Sequence, residues 1–305
     1  MQLAQNKFCS SDSLLLRKGA FFALLCAATY GLNPVIAKLA YATGLQGMEI
    51  FQYRFLFAVA VLVVLGPCLD KRFYHIGKHT WRVALIIALA IMLPLNLLYV
   101  YALKDIPASM MSLITYIYPL GVLAIGVLLF SETVKKSQVV SVAMIILGCL
   151  CIFKDSFEAS ISFSALALAF LSMIMYAVYL VAFQRMAQGE STLQLTFLII
   201  VICTVVTFFF NNPIHIRTLS YYQLFLCLAY GLVSTVLATV FLLKAIQCVG
   251  ATEAGIFCSF EPVFTIFFSV ILLGEEIPLY RYLGMALLVV GIVWPNIKRL
   301  KEKCF

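Results

Sequence analysis

Long apolar runs, each cut off by a short polar stretch, follow one another along almost the whole chain. A helix needs about twenty predominantly apolar residues to cross bilayer hydrocarbon, because each adds only about 1.5 Å of rise. Ten runs fit that length to within a few residues: 18–38, 48–69, 81–103, 106–130, 137–154, 161–184, 193–210, 221–243, 253–273 and 280–297. The seventh is short and ends at Asn211, Asn212 and Pro213. The first sixteen residues are polar, and the run after Lys18 reads as an uncleaved first span rather than a signal peptide. The runs follow so closely that no sizeable water-soluble domain fits between them.

Two of these stretches are related. Tyr101–Cys151 and Lys244–Ile292 align without a gap at a shift of 143, matching Ala102/Ala245, Ala108/Ala251, Pro119/Pro262, Glu132/Glu275 and Gly148/Gly291. The third and eighth runs follow the same shift, as at Leu89/Leu232. A shift of 146 lays the first run on the sixth, at Ala23/Ala169, Leu25/Leu171, Tyr30/Tyr176 and Val35/Val181. The repeating unit is therefore five spans, 18–154 and then 161–297. Five is odd, so the second copy enters the membrane from the side opposite to the first. The expected fold is an all-α integral membrane protein, ten transmembrane helices arranged as two inverted five-helix repeats. Inverted repeats with corresponding interruptions are a pointer to secondary transporters and to their binding sites.

Composition narrows the class. With 64% apolar and 11% charged residues, the chain lies far from the soluble average of about a quarter charged. The net charge of +8 is not clustered on any soluble module, which argues against nucleic-acid binding. It is better explained by orientation, since Lys and Arg concentrate on the cytoplasmic side. A cytoplasmic N-terminus assigns fifteen Lys and Arg to that side and five to the other, leaving only Arg54 within a span, so both termini are expected in the cytoplasm. The ten cysteines have no zinc-type spacing and suggest no disulfide framework. They read as small hydrophobes at helix contacts. His75 and His79 sit in a basic loop with nothing nearby to complete a metal site. Walker A, Ser-His-Asp and His-Glu-x-x-His patterns are missing from the sequence, so neither direct ATP drive nor catalysis is expected, and no cofactor is implied.

The segments ALKDIPAS, a mid-helix proline, LLFSE and a Gly-containing helix return as EPVFTIFFSVILLGEE and YLGMALLVVGI. This pattern resembles the EamA-type drug/metabolite transporter superfamily over about residues 18–297. The resemblance implies a ten-helix carrier of the bacterial inner membrane, often an exporter of amino acids or related metabolites. It also implies a path between the halves, lined by the first, third, fourth, sixth, eighth and ninth helices. The two halves differ at many polar positions, so the family pattern fixes the scaffold better than the site.

Candidate residues follow from depth and helical face. Pro119 and Pro262 lie near mid-span, where proline removes a backbone hydrogen bond and clashes with the carbonyl four residues back, here Thr115 and Cys258. A carbonyl freed in hydrocarbon needs a partner from protein or a wet cavity, so these prolines read as hinges, although proline is also common in ordinary membrane helices. Glu261 follows Glu253 by eight positions, roughly 12 Å along a helix, which places it near the bilayer midplane. A charge there costs about 2.5–3.5 kcal/mol on insertion scales, so Glu261 should face the bundle with a partner or carry a proton. It could serve as a proton-coupling carboxylate, as counter-ion to a substrate amine, or as a structural carboxyl beside the kink.

On the fourth helix Ser109, Ser112 and Tyr116 share a face, matched on the ninth by Thr252, Gly255 and Ser259. The small members suit close helix packing, while Tyr116 and Ser259 stand as candidates for the path. The first and sixth helices add Tyr30, Asn33, Tyr176 and Tyr179; the third and eighth add Asn96, Tyr99, Thr235 and Thr239. Polar atoms at this depth need partners, either within the bundle or on a solute. Arg54 is too poorly spaced from Glu49 for a same-face pair and is matched by Ile200. It reads first as a structural residue whose stem snorkels to the interface, and second as a gate or an anion contact.

These features point to a secondary carrier that exports a small, amino-acid-like metabolite by alternating access, with protons as a coupling ion through Glu261 and lipid as its surroundings. Alternatives of the same class are uptake or exchange of a nucleotide-like or sulfonium metabolite and multidrug efflux. A channel, a membrane enzyme or a receptor would differ in kind, and the sequence offers no reactive constellation for the enzyme.

Overall fold

Only a helix or a closed barrel satisfies every backbone N–H and C=O in lipid without water. In the computed structural model, every regular element among the described residues is helical. Those residues are 2–71, 73–130, 139–140, 143–144, 146–148, 151, 162–186, 189–210, 219–249, 254 and 257–294. The first half comprises α1 (Gln2–Ala42), α2 (Gly47–Leu69), α3 (Lys78–Asp105), α4 (Ala108–Thr115) and α5 (Tyr118–Phe130). The second comprises α6 (Phe163–Met186), α7 (Thr192–Phe210), α8 (Tyr221–Val249), α9 (Glu261–Leu273) and α10 (Leu279–Val293). Among the described residues seven stretches are long and apolar enough to cross a membrane, counting α4 and α5 as one, and α9 and α10 are shorter apolar helices. The fifth expected span, 137–154, lies mostly outside the described residues.

Several elements depart from the simple runs. Helix α1 begins at Gln2 and ends at Ala42, well beyond the expected 18–38, with its membrane-length part at Arg17–Ala42. Helices α3 and α8 are not uniform, because each contains a wide π turn, at Ala88–Met92 and at Leu232–Leu237. The 143 shift makes these two segments overlap. Hydropathy reports only that such residues are apolar, so it cannot reveal a change of helical pitch.

The packing repeats about a pseudo-twofold axis. Helix α1 packs on the C-terminal part of α8 and on α9, while its counterpart α6 packs on the C-terminal part of α3 and on α5. Helices α2 and α7 meet each other, and so do α4 and α9. Loop contacts follow the same rule on opposite faces. At one face Thr80, at the start of α3, donates to Glu190 between α6 and α7 (2.5 Å). At the other face Gln223, matched to Thr80 by the 143 shift, donates from the start of α8 to the Thr43 carbonyl after α1 (3.0 Å). Thus α1 ends at the face where α6 begins, and the two halves run with opposed polarity.

Candidate substrate site between two broken helices

The fourth span is broken rather than kinked. Helix α4 stops at Thr115, Tyr116 and Ile117 form a turn, and α5 starts at Tyr118. The ninth span repeats this at the matched positions: Ser259 and Phe260 form a turn, and α9 starts at Glu261. Each proline is the second residue of the new helix, where its missing N–H costs nothing and its fixed φ suits a helical start. The interruption thus falls two residues ahead of the expected hinge positions, Pro119 and Pro262.

Glu261 occupies the first turn of α9, where exposed backbone N–H groups favour a carboxylate. Its Oε2 lies 2.8 Å from the Tyr116 hydroxyl, which also reaches the Cys258 carbonyl at 3.0 Å. Cys258 is the residue whose carbonyl the proline was expected to free, and Tyr116 from the other half meets it. One turn deeper, Thr265 Oγ1 contacts the Glu261 carbonyl at 3.1 Å and receives a hydrogen bond from Ser112 at 3.2 Å. Tyr116, Ser112, Thr265 and Glu261 therefore stitch the fourth span to the ninth at the two breaks.

Around this carboxyl stands a cage of tyrosines. Tyr30 on α1, Tyr99 on α3, Tyr116, Tyr118 on α5 and Tyr176 on α6 all lie within its electrostatic reach. The rings interlock: Tyr116–Tyr118 at 5.9 Å, Tyr118–Tyr176 at 5.2 Å edge to face, and Tyr176–Tyr179 stacked at 6.2 Å. Tyr30 also meets the Thr239 side chain. Four helices and both halves thus converge on one acidic group, and among the described residues that group forms no salt bridge.

The remaining candidates separate into two sets. Asn96 donates to the Met92 carbonyl (2.9 Å) and Thr239 donates to the Thr235 carbonyl (2.7 Å). These pairs are matched by the 143 shift, and each supplies a donor to a carbonyl of a π turn, where the regular ladder slips. Asn33 Oδ1, on α1, is buried with no hydrogen-bond partner among the described residues, and Ser259 is buried at the α9 turn. Arg54 does not snorkel. It is 7% exposed, donates to Thr235 Oγ1 (2.9 Å) and Tyr230 (3.2 Å), and sits 4.5 Å over the Tyr230 ring. Tyr99 on α3 lies within electrostatic reach of both Arg54 and Glu261.

Sequence reasoning missed three participants. Tyr118 is the residue the 143 shift matches to Glu261, and that alignment could have drawn attention to it. Tyr230 carries no local signal, because its role depends on Arg54 arriving from α2. Glu275 was visible as a repeated glutamate without a role. It caps α4: its carboxylate accepts from Ala108 N (2.8 Å), Ser109 N (3.3 Å) and Ser109 Oγ (2.5 Å). Gly274, at φ 65°, supplies the left-handed turn that aims it there.

Comparison with known proteins agrees with this architecture. The EamA-like transporter family matches the chain twice, over residues 17–154 and 163–296. The chain is 25% identical over 299 residues to the uncharacterized inner membrane transporter YhbE of Escherichia coli K12, covering 92% of this chain and 91% of that protein. It is 26% identical over 245 residues to the pseudopaline exporter CntI of Pseudomonas aeruginosa PAO1, covering 79% and 83%. A crystal structure superposes with a TM-score of 0.63 at 16% identity, over 96% of this chain and 99% of that one, which is a likeness of fold.

Proposed function

We propose, from the premise that the chain belongs to the EamA-like transporter family, that this multi-pass inner-membrane transporter exports a small amine-bearing, amino-acid-like metabolite by alternating access. The observation that carries the reading is Glu261, a single carboxyl at the break of α9, enclosed by tyrosines from both halves and without a cationic partner among the described residues. Such a group can hold a proton or the ammonium of a solute, but not both. Exchange of one for the other gives a proton-coupled exporter without further machinery. Asn33 Oδ1, an acceptor with no partner among the described residues, suits a second N–H of the same solute. The aromatic walls suit its apolar part, and an exporter among the relatives makes outward transport the direction favoured here.

In this reading both termini face the cytoplasm, which the Lys and Arg distribution supports. The face bearing Glu275 is then the outer one, and its cap on α4 holds the two halves together there. The test is flux into proteoliposomes. Glu261→Gln is expected to abolish the dependence of solute flux on a pH gradient. Flux that follows pH in the variant as it does in the wild type removes Glu261 from the mechanism.

A further inference from the structure

Tyr116 has one hydroxyl proton and two acceptors. Its oxygen lies 3.0 Å from the Cys258 carbonyl and 2.8 Å from Glu261 Oε2. The Cys258 carbonyl is the one an unbroken helix would give to the N–H of residue 262, which is proline and has none. Within the described backbone, the residues after the turn bond elsewhere: Val263 N and Phe264 N both donate to the Phe260 carbonyl, at 3.0 and 3.3 Å. The donor that reaches Cys258 therefore comes from the opposite half of the molecule.

We propose that Tyr116 is the positioning residue that links the proton on Glu261 to the backbone break in the ninth span. When Glu261 holds a proton, the carboxyl donates to the Tyr116 oxygen, and Tyr116 donates to the Cys258 carbonyl. Two protons then serve two contacts. When Glu261 releases its proton, one proton remains for two acceptors. The Tyr116 O–H turns to the carboxylate, the stronger acceptor, and the Cys258 carbonyl is left without its donor. No covalent bond of Tyr116 breaks, and the departing proton comes from Glu261 alone. The unsatisfied carbonyl then drives rearrangement of the Ser259–Phe260 turn, because a buried backbone acceptor without a partner is unfavourable. Other titratable groups that face Glu261 are Tyr30 and Cys26 on α1, Tyr99 on α3, Tyr118 on α5 and Tyr176 on α6. Among the described residues none of these groups hydrogen-bonds to the Cys258 carbonyl, and Cys258 Sγ donates to the Ala23 carbonyl.

This rests on Glu261 taking up a proton, so the experiment reads the two events separately. Infrared difference spectra of the whole protein report the carboxylic C=O band of Glu261, assigned by its absence in Glu261→Gln. Hydrogen exchange of the peptide spanning 257–264, normalised at each pH to Glu261→Gln, reports the break. In the wild type the band and the exchange are expected to change together, with exchange about five- to tenfold faster once the band is lost. In Tyr116→Phe the band still responds to pH while exchange no longer follows it. Exchange that follows the band in Tyr116→Phe as in the wild type overturns the proposal and leaves the role of Glu261 intact. If no Glu261 band responds to pH in the wild type, the exporter reading itself fails. Should Tyr116→Phe not fold, 3-fluorotyrosine at position 116 keeps the shape with a stronger donor. It is expected to displace the pH at which exchange changes, and an unmoved transition again overturns the proposal.

Discussion

The two broken spans share a backbone and differ in chemistry. In the first half the break reads Tyr116, Ile117, Tyr118, Pro119; in the second it reads Ser259, Phe260, Glu261, Pro262. Both stop a helix, turn for two residues and restart with proline in second position. The first copy supplies phenols and the second supplies the acid, so neither half holds the Tyr116–Glu261 pair alone. A neighbouring contact shows the same division. Gly31 on α1 lies against Phe264 and the backbone of Thr265, such that a Cβ there would stand 2.9 Å from Phe264 Cβ and 3.0 Å from Thr265 N. The shifted pair is Ala177 on α6 against Gly121 on α5, where an added Cβ would stand 2.8 Å from Ala177 Cβ. The glycine has changed sides while the approach of an added Cβ to the facing Cβ is nearly the same. Duplication thus maintains the scaffold, and the differences between the copies create the Tyr116–Glu261 pair.

The largest expected effect breaks the comparison at a residue with no counterpart. Arg54 is matched by Ile200, and Arg54→Ala would leave Thr235 and Tyr230 without their charged donor. Hydrogen bonds to charged groups contribute about 1.5–3 kcal/mol each, so a loss of about 3 kcal/mol is expected in the unfolding midpoint of the purified protein. Ile200→Val, at the matched site, is expected to cost about 0.5–1.5 kcal/mol. Equal losses would show that the asymmetry between these helices has no energetic content.

The glycine contacts sharpen the comparison next. Gly121→Ala is expected to destabilise by about 1–3 kcal/mol through overpacking, and Ala177→Gly in the same chain should restore most of it. Gly31→Ala should cost a similar amount and resist rescue, because part of what it meets is backbone. A smaller effect belongs to Glu275. Glu275→Ala removes the cap of α4 and is expected to cost about 1 kcal/mol, with faster hydrogen exchange at residues 108–111. The neighbouring, exposed Glu276→Ala should stay within about 0.5 kcal/mol.

The smallest effect concerns the face with Thr80. The Thr80 hydroxyl first, and His79 second, hold the Glu190 carboxyl below its usual range. A group depressed in the folded state stabilises above its unfolded pKa and loses that contribution as pH falls through the folded value. The contact between α3 and the α6–α7 loop should therefore hold at neutral pH and loosen in acid below about pH 4.5. Exposed pairs contribute only about 0.2–1 kcal/mol, so local exchange is the suitable measure, and Glu190→Gln should remove its acid dependence.

Much of this architecture was legible in the sequence, because helix length and the 143 shift are properties of residue type and spacing alone. Glu261 was legible for the same reason, since a carboxyl at mid-depth demands an explanation. The π turns in α3 and α8 were hidden, as their residues are apolar like their neighbours. The breaks were placed at Pro119 and Pro262, whereas the preceding helical turns end four residues earlier, at Thr115 and Cys258, and each proline is the second residue of the next helix. Asn96 and Thr239 looked like cavity residues, and in the structure each also donates to the carbonyl four residues back, which lies in a π turn. Arg54 seemed free to snorkel because its partners, Thr235 and Tyr230, lie about 180 residues away along the chain.

The central claim is that solute and proton share Glu261. A thermal-shift screen of amino acids, nucleotides and cationic drugs, run in parallel on the wild type and on Glu261→Gln, tests it most directly, since a bound ligand raises apparent stability by mass action. The account predicts that amine-bearing solutes raise the melting temperature of the wild type, less so as the pH is lowered, and leave the variant unmoved. Equal stabilisation of both proteins by the same solute, at every pH, would contradict it.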